Sequence, residues 1–179
     1  ASTNQWTTDS TVTETIQSID SLSLAVDDSG TVHILYYCYG GVAALYYASK
    51  SPGGAWSEDT ALVSTSGLGE YALVVDGTGN VHAIWVENDD IYSRRLASGS
   101  DEWSSTIRIN AADNVNISEF HSAVDQQGNV HLAWVDEDST TNRWYAYHDR
   151  WLVATEEWET ETQVWVHTRS DEFIVPGID

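Results

Sequence analysis

Three histidines recur at a regular spacing and are the side chains in this sequence that most readily suggest chemistry. His33, His82 and His131 follow one another at intervals of 49 residues. Three imidazoles could bind one metal ion together, or a single imidazole could act as a general base. Equivalent positions in successive repeats normally lie too far apart to share one small ion. We therefore predict that each histidine has a structural role and bonds within its own repeat or to the neighbouring one.

An aspartate and a glycine recur at the same interval, just before each histidine. These repeat marks are Asp27, Asp76 and Asp125, followed by Gly30, Gly79 and Gly128. A carboxylate at the start of a turn can accept hydrogen bonds from backbone amides inside the turn, and glycine readily adopts a positive φ. The marks therefore predict a β-hairpin turn in each repeat, with the aspartates as turn formers.

Two acidic stretches at equivalent places in the second and third repeats suggest calcium binding. Carboxylate oxygens are the ligands that Ca²⁺ prefers. The candidate ligands are Glu87, Asp89, Asp90, Asp136 and Asp138. Their spacing matches no dedicated calcium loop, so an acidic surface exposed to solvent is the alternative. Calcium is the one cofactor that the sequence suggests.

Aromatic side chains provide a second set of candidate binding residues. The chain has nine Trp and nine Tyr but only two Phe, and rings with a polar handle can stack on sugars. The candidates are Tyr37 and Tyr39 in the first repeat and Trp144, Tyr147 and Trp151 in the third. The alternatives are a packed loop for the first pair and an interface with further sheets for the other three.

The composition argues against several classes of function. The chain has 28 acidic and seven basic residues and a formal net charge of −21, which would repel nucleic acids and anionic membranes. No apolar run approaches membrane-spanning length, so membrane insertion is not expected. The single cysteine, Cys38, permits no intrachain disulfide. The chain lacks methionine and begins Ala-Ser-Thr, as a mature secreted protein or an excised fragment would, so we expect an extracellular location.

Three segments align without gaps around the repeat marks. They read AVDDSGTVHILYY from Ala25, VVDGTGNVHAIWV from Val74 and AVDQQGNVHLAWV from Ala123. Each joins a short apolar run to an alternating run through the turn, and so predicts two paired strands. Both faces of the second strand are mainly apolar, which predicts packing against it from both sides.

Two further strands follow each hairpin. The third strands are expected from Ala43, Asp90 and Arg143, and the fourth strands from Trp56, Trp103 and Trp158. No segment has a convincing helical apolar period. The pattern predicts an all-β chain, namely a β-propeller of four-stranded antiparallel blades with a repeat of about 49 residues.

The chain starts and stops within a repeat. A terminal strand of the fourth type is expected in residues 1–21, three full blades at 22–69, 70–119 and 120–170, and the first strand of a further blade at 171–179. Three full blades plus half-blades at both termini make a single partial propeller over residues 1–179. Because known closed propellers have at least four blades, we expect another copy or another chain to complete the ring.

The repeats resemble those of bacterial extracellular propellers related to the sialidase group, which carry an Asp-box motif. The segment SKSPGGAW is similar to the pattern S-x-D-x-G-x-T-W, with Ser51 in place of the aspartate and Ala55 in place of the threonine. The resemblance implies an architecture and no particular activity. Sialidases of this fold bind the substrate carboxylate with an arginine cluster, whereas Arg94 and Arg95 are adjacent in one strand and so point to opposite faces.

Three hypotheses about function follow. We favour a secreted, non-catalytic binding module whose ligand is a carbohydrate. The first alternative is part of a carbohydrate-active propeller enzyme, either a sialidase-like glycoside hydrolase or a polysaccharide lyase, with catalytic residues partly outside this chain. The second alternative is a structural half-ring that assembles into a complete propeller. No catalytic residue is assigned.

Overall fold

The computed structural model describes residues 18–39, 42–110, 116–138 and 143–168. These residues form thirteen β-strands and no helix, so the prediction of an all-β chain is confirmed. Accordingly, the described part of the chain has no helix long and apolar enough to span a membrane. The strand expected at 171–179 and most of the strand expected at 1–21 lie outside the described residues.

The first sheet has four antiparallel strands in chain order. They are β1 (Ile19–Val26), β2 (Val32–Cys38), β3 (Ala44–Lys50) and β4 (Thr60–Ser64). Strand β1 starts at Ile19 rather than at residue 22, because its pairing continues past an irregularity until Ile19 lies opposite Cys38. Strand β4 starts later than expected, since Trp56 makes only an isolated bridge to Lys50.

The second sheet repeats this order. Its strands are β5 (Leu68–Val75), β6 (Val81–Glu87), β7 (Asp90–Leu96) and β8 (Ile107–Arg108). Asn88 and Asp89 form the tight turn between β6 and β7, with φ of 51° and 67°. Positive φ at both central positions defines a type I′ hairpin turn, which Asn and Asp tolerate better than most residues.

The third sheet has the same plan with a divided last strand. Its strands are β9 (Asn116–Val124), β10 (Val130–Asp138), β11 (Arg143–Leu152), β12 (Glu157–Trp158) and β13 (Thr162–Thr168). Both β12 and β13 pair with β11, with Trp158 opposite Trp151 and Thr162 opposite His148. The expected fourth strand from Trp158 is therefore present in two pieces.

Two apolar cores lie between successive sheets. The first contains Leu35 of the first sheet and Leu73 and Trp85 of the second. The second contains Ile84 of the second sheet and Leu132 of the third. Neighbours in a strand point to opposite faces, so Ile84 and Trp85 enter different cores. This arrangement explains why β6 is apolar on both faces.

Candidate functional site

The turn of the second sheet shows what the repeated aspartate and histidine do. Asp76 is buried, and its Oδ1 accepts hydrogen bonds from the backbone amides of Thr78 (2.9 Å) and Asn80 (3.0 Å). Its Oδ2 lies 3.0 Å from Nε2 of His82. Burial alone would raise the pKa of Asp76, but hydrogen bonds from His82, Thr78 and Asn80 outweigh it and hold the pKa well below its usual range. Asp76 is therefore a buried carboxylate that fixes the turn, and Gly79 closes the turn with φ of 83°.

The first sheet has the same pair with a different partner. Nε2 of His33 lies 3.5 Å from Oδ2 of Asp27, and Nδ1 of His33 is hydrogen-bonded to the Tyr47 hydroxyl at 2.7 Å. Burial lowers the pKa of His33, although the Asp27 carboxylate opposes the shift. The imidazole is thus held neutral between a carboxylate and a phenol, in a geometry that can orient a hydroxyl.

In the third sheet the partner is another histidine. His131 lies 3.0 Å from the Asp125 carboxylate through Nε2 and 2.9 Å from Nε2 of His148 through Nδ1. Burial lowers the pKa of His148, and the neighbouring His131 and Arg150 lower it further. Each histidine is thus engaged with its own turn, and within the described ranges no three His, Cys, Asp or Glu residues are grouped so that they could hold a metal ion.

The candidate calcium ligands of the second sheet are engaged locally. Asp90 forms an ion pair with Arg108, at 2.8 Å, and accepts a hydrogen bond from Asn110. Asp89 occupies the type I′ turn, and Glu87 pairs with Asp90 across it. Turn chemistry and an ion pair therefore explain these residue types without a metal.

Asp136 of the third sheet is the unusual member of the acidic set. It is only 1% exposed, and neither carboxylate oxygen accepts a hydrogen bond of ordinary geometry. Burial raises the pKa of Asp136 to about 6, and the negative charges of Asp138, Glu161 and Asp89 add to the effect, while the backbone amide of Asn116 opposes it. Acidic residues of the second and third sheets thus raise the pKa of the same carboxylate, Asp136. Calcium binding by this acidic set remains a prediction.

The five candidate aromatic residues are divided between two sheets. The Tyr37 hydroxyl donates to the carbonyl of Thr65, and the Tyr37 ring contacts the ring of Tyr39, which is 56% exposed. Trp144 is partly buried in β11, opposite Glu137. Tyr37 and Tyr39 therefore belong to the first sheet and the loop after β2, whereas Trp144 belongs to the third sheet, and strand pairing does not place them side by side.

The remaining two aromatic residues pack inside the molecule. Tyr147 stacks on Trp134 with ring centroids 5.6 Å apart. Trp151 is only 6% exposed and meets the ring of His82 edge-on at 5.0 Å, with the Arg95 guanidinium 5.3 Å from its ring centre. Packing between the second and third sheets uses most of the Trp151 surface, so little of it is available to a ligand.

Sequence reasoning missed an exposed apolar strip along β1. Leu22, Leu24 and Val26 lie on the face of the first sheet that points away from the second sheet, and all three are exposed. The equivalent of Leu24 in the second sheet is Leu73, which is buried beneath the first sheet. The alternation Ser-Leu-Ser-Leu-Ala-Val at residues 21–26 is the sequence signal that could have revealed the strip.

The opposite end of the stack carries a different open face. Ala133 of β10 is exposed, whereas its equivalents Leu35 and Ile84 are completely buried against the next sheet. His131 and His148 lie on the same face as Ala133. Each contact between neighbouring sheets joins two different faces. One face of the first type, around Leu24, is left open on the first sheet, and one face of the second type, around Ala133, is left open on the third sheet.

Comparison with known proteins gives no family assignment. No protein-family model matches the chain, and no curated protein matches it. Among solved structures, the chain is similar to a protein of unknown function from Dyadobacter fermentans, with a TM-score of 0.41 and 8% sequence identity over 81% of this chain and 68% of that chain. A likeness at this level carries no argument about the function of this chain.

Proposed function

We propose that this chain is a non-catalytic interaction module of the β-propeller type, in which the three sheets are consecutive blades and a second copy of the chain supplies further blades. The chain order of the strands and the repeated packing of one sheet on the next support the proposal. An extracellular location and kinship with the sialidase-related propellers are part of the same proposal.

The exposure of Leu24 is the observation that carries this proposal. Leu24 is 56% exposed, whereas Leu73 at the equivalent place in the second sheet is 4% exposed. The difference arises because the first sheet covers Leu73. Burial of apolar surface contributes about 25 cal/mol per Å², and contiguous exposed apolar residues commonly mark an interaction surface. The strip along β1 therefore favours a covering sheet.

The third sheet offers the matching surface. Its open face around Ala133 is equivalent to the face around Leu35, which packs with Leu73 inside the chain. A second copy can repeat this internal contact, with Ala133 of one copy over Leu24 of the other. Such head-to-tail contacts use two different surfaces, and two of them close a ring with two-fold symmetry.

A substitution in the strip tests the proposal. Native mass spectrometry should show a discrete dimer for the natural sequence and a monomer for Leu24→Asp, because a buried unpaired carboxylate is strongly unfavourable at an interface. Val42→Asp is the matched control, since Val42 is exposed but lies outside the strip. A monomeric natural protein, or a dimer that survives Leu24→Asp, would overturn the proposal.

Carbohydrate binding is the second candidate function, and the exposed Tyr39 favours it. The Tyr39 ring follows the end of β2, lies tilted against the ring of Tyr37 with centroids 6.4 Å apart, and is 56% exposed. Tyr39→Ala should weaken binding if sugars stack there. The enzymatic alternative remains a hypothesis, which release of reducing ends or unsaturated uronates from a polysaccharide would favour.

A further inference from the structure

A cleft of about 420 Å³ lies between the first and second sheets. Its walls include His33, Tyr47 and Ser49 from the first sheet and Leu96, Ser98 and Trp103 from the second. This volume is within the range of small-molecule sites, roughly 300–1,000 Å³. All of its walls belong to one chain, so the cleft does not depend on assembly with a second copy.

A pair of substitutions between repeats explains why this cleft is open. Strand register places Leu96 of the second sheet at the position that Trp151 occupies in the third. It also places Ser49 of the first sheet at the position of Arg95 in the second. Between the second and third sheets, Arg95 and Trp151 pack together and fill the space. Between the first and second sheets, both positions carry smaller side chains, Leu96 and Ser49, and part of the space remains open.

The chemistry of the walls favours a neutral ligand with many hydroxyl groups. Ser49, Ser57 and Ser98 contribute hydroxyls, while Asp27 and Asp101 contribute carboxylates. No Lys or Arg is among the described residues that line the cleft. Hydroxyls and carboxylates accept hydrogen bonds from sugar hydroxyls, whereas an anionic ligand would meet like charge and no compensating cation.

Two aromatic rings form a rigid side of the cleft. The ring of Trp103 meets the ring of Tyr47 edge-on, with centroids 5.0 Å apart. Tyr47 is held in turn by its hydrogen bond to His33. Burial raises the pKa of Tyr47, so its hydroxyl stays protonated at neutral pH. Tyr47 is only 5% exposed, so it supports Trp103 from behind and offers no ring face of its own. The partly buried ring of Trp103 beside serine hydroxyls suits the alternating apolar and polar surfaces of a sugar ring.

We propose that the cleft between the first and second sheets binds a neutral sugar ring, with Trp103 as the stacking surface and the hydroxyls of Ser49 and Ser98 as polar contacts. The cleft rests on the same ligand class as the second candidate function, but Tyr39 does not line it. Sugar binding in the cleft can therefore be tested separately from binding at Tyr39 and from assembly of two copies.

Leu96→Trp is the variant that tests the site most cleanly. It introduces the residue that fills the equivalent space at Trp151, so it should close the cleft while the sheets remain packed. Trp103→Ala removes the stacking surface and should lower affinity about tenfold or more. Val42→Ala is the matched control and should leave the affinity unchanged, because Val42 is exposed and does not line the cleft. Thermal melting of each variant checks that it is folded.

The measurement is tryptophan fluorescence and ligand-observed NMR with glucose, galactose, mannose, N-acetylglucosamine and glucuronic acid. We expect saturable binding of at least one neutral sugar with a Kd on the order of millimolar, weaker binding of the uronic acid, and loss of binding in Leu96→Trp. Absence of saturable binding by every neutral sugar would overturn the inference. Binding that survives Leu96→Trp would also overturn it, and loss of that binding in Tyr39→Ala would place the sugar at Tyr39.

Discussion

The backbone amide of Gly77 donates a hydrogen bond to the carbonyl of Gly128, at 2.9 Å, and this bond joins the hairpin turns of the second and third sheets. A Cβ atom added to Gly77 would lie 2.4 Å from the Cα atom of Gly128. The two turns can therefore touch only because both positions are glycine. At the place of Gly77, the first sheet has Asp28, which is exposed.

Gly77→Ala should destabilise the protein, because the added methyl group pushes the two turns apart. The expected loss in the free energy of unfolding is about 1–3 kcal/mol, the usual cost of an enforced steric overlap. Urea denaturation followed by tryptophan fluorescence measures it. Asp28→Ala is the matched control and should change stability by less than about 0.5 kcal/mol. Equal effects of the two substitutions would contradict this account of the contact.

Asp76→Ala should be among the most damaging substitutions in the turns. It leaves the amides of Thr78 and Asn80 and the ring of His82 without their acceptor in a buried environment. The expected loss is about 2–4 kcal/mol, since unsatisfied buried polar groups cost about 1–3 kcal/mol each and the turn can relax. Asp125→Ala should have a smaller effect, because the Asp125 side chain is partly exposed.

The contribution of the Asp76 carboxylate to the free energy of unfolding should depend on pH in one direction only. The pKa of Asp76 is lowered in the folded protein, so its contribution is present above the carboxyl pKa of the unfolded chain, about 3.9. It is lost as the pH falls towards the folded value. The difference in stability between Asp76→Ala and the natural protein should therefore shrink in acid, and a constant difference down to low pH would argue against a turn held by the ionised carboxylate.

Asp136→Asn should stabilise the protein at neutral pH. Burial raises the pKa of Asp136 to about 6 in the folded protein, so ionisation above that pH opposes folding. Stability is highest, with respect to this group, below the unfolded pKa and falls as the pH rises to about 6. Removing the charge should add about 1–3 kcal/mol at pH 7.5 and little at pH 4.

Thermal melting at both pH values checks this prediction for Asp136. Asp101→Asn, which removes an exposed carboxylate, is the control and should have little effect at either pH. A loss of stability in Asp136→Asn at neutral pH would mean that the carboxylate is needed there, for example as a ligand of a cation. Calcium that raises the melting temperature of the natural protein but not of Asp136→Asn would support that reading.

Salt should strengthen association of two copies. Each chain carries a formal net charge of −21, so two copies repel one another at low ionic strength. Raising the salt concentration shortens the Debye length from about 30 Å at 0.01 M to about 8 Å at 0.15 M. Sedimentation velocity should therefore show a larger dimer fraction at the higher salt concentration. Dissociation on adding salt would point to an interface held by ion pairs and would contradict an apolar contact through Leu24.

The repeated sequence was sufficient to predict the strands and sheets, but not which side chains are buried between the sheets. The marks around Asp76 and Gly79 predict the turn because its geometry requires these residue types locally. In contrast, Trp151 and Tyr39 are both aromatic residues in or beside strands, and only the packing of neighbouring sheets shows that one is buried and the other exposed. Burial is a property of distant contacts, which composition and spacing do not reveal.

The candidate sites show the same limit. The cleft depends on Leu96 standing where the next repeat has Trp151, a difference that has meaning only once the strand register is known. Asp136 looks in the sequence like a surface acid at the end of a strand, yet it is almost completely buried. The strip at Leu24 has a readable alternation, but its exposure depends on which sheet lies beside it.

Disulfide trapping between two single-cysteine variants tests the head-to-tail contact most directly. In a Cys38→Ala background, Leu24→Cys and Ala133→Cys would be prepared separately, mixed and oxidised, because the equivalent residues Leu73 and Leu35 pack in one core inside the chain. The account predicts a covalent dimer in the mixture and none in either variant alone. Failure of the mixture to cross-link, or cross-linking of each variant with itself, would contradict it.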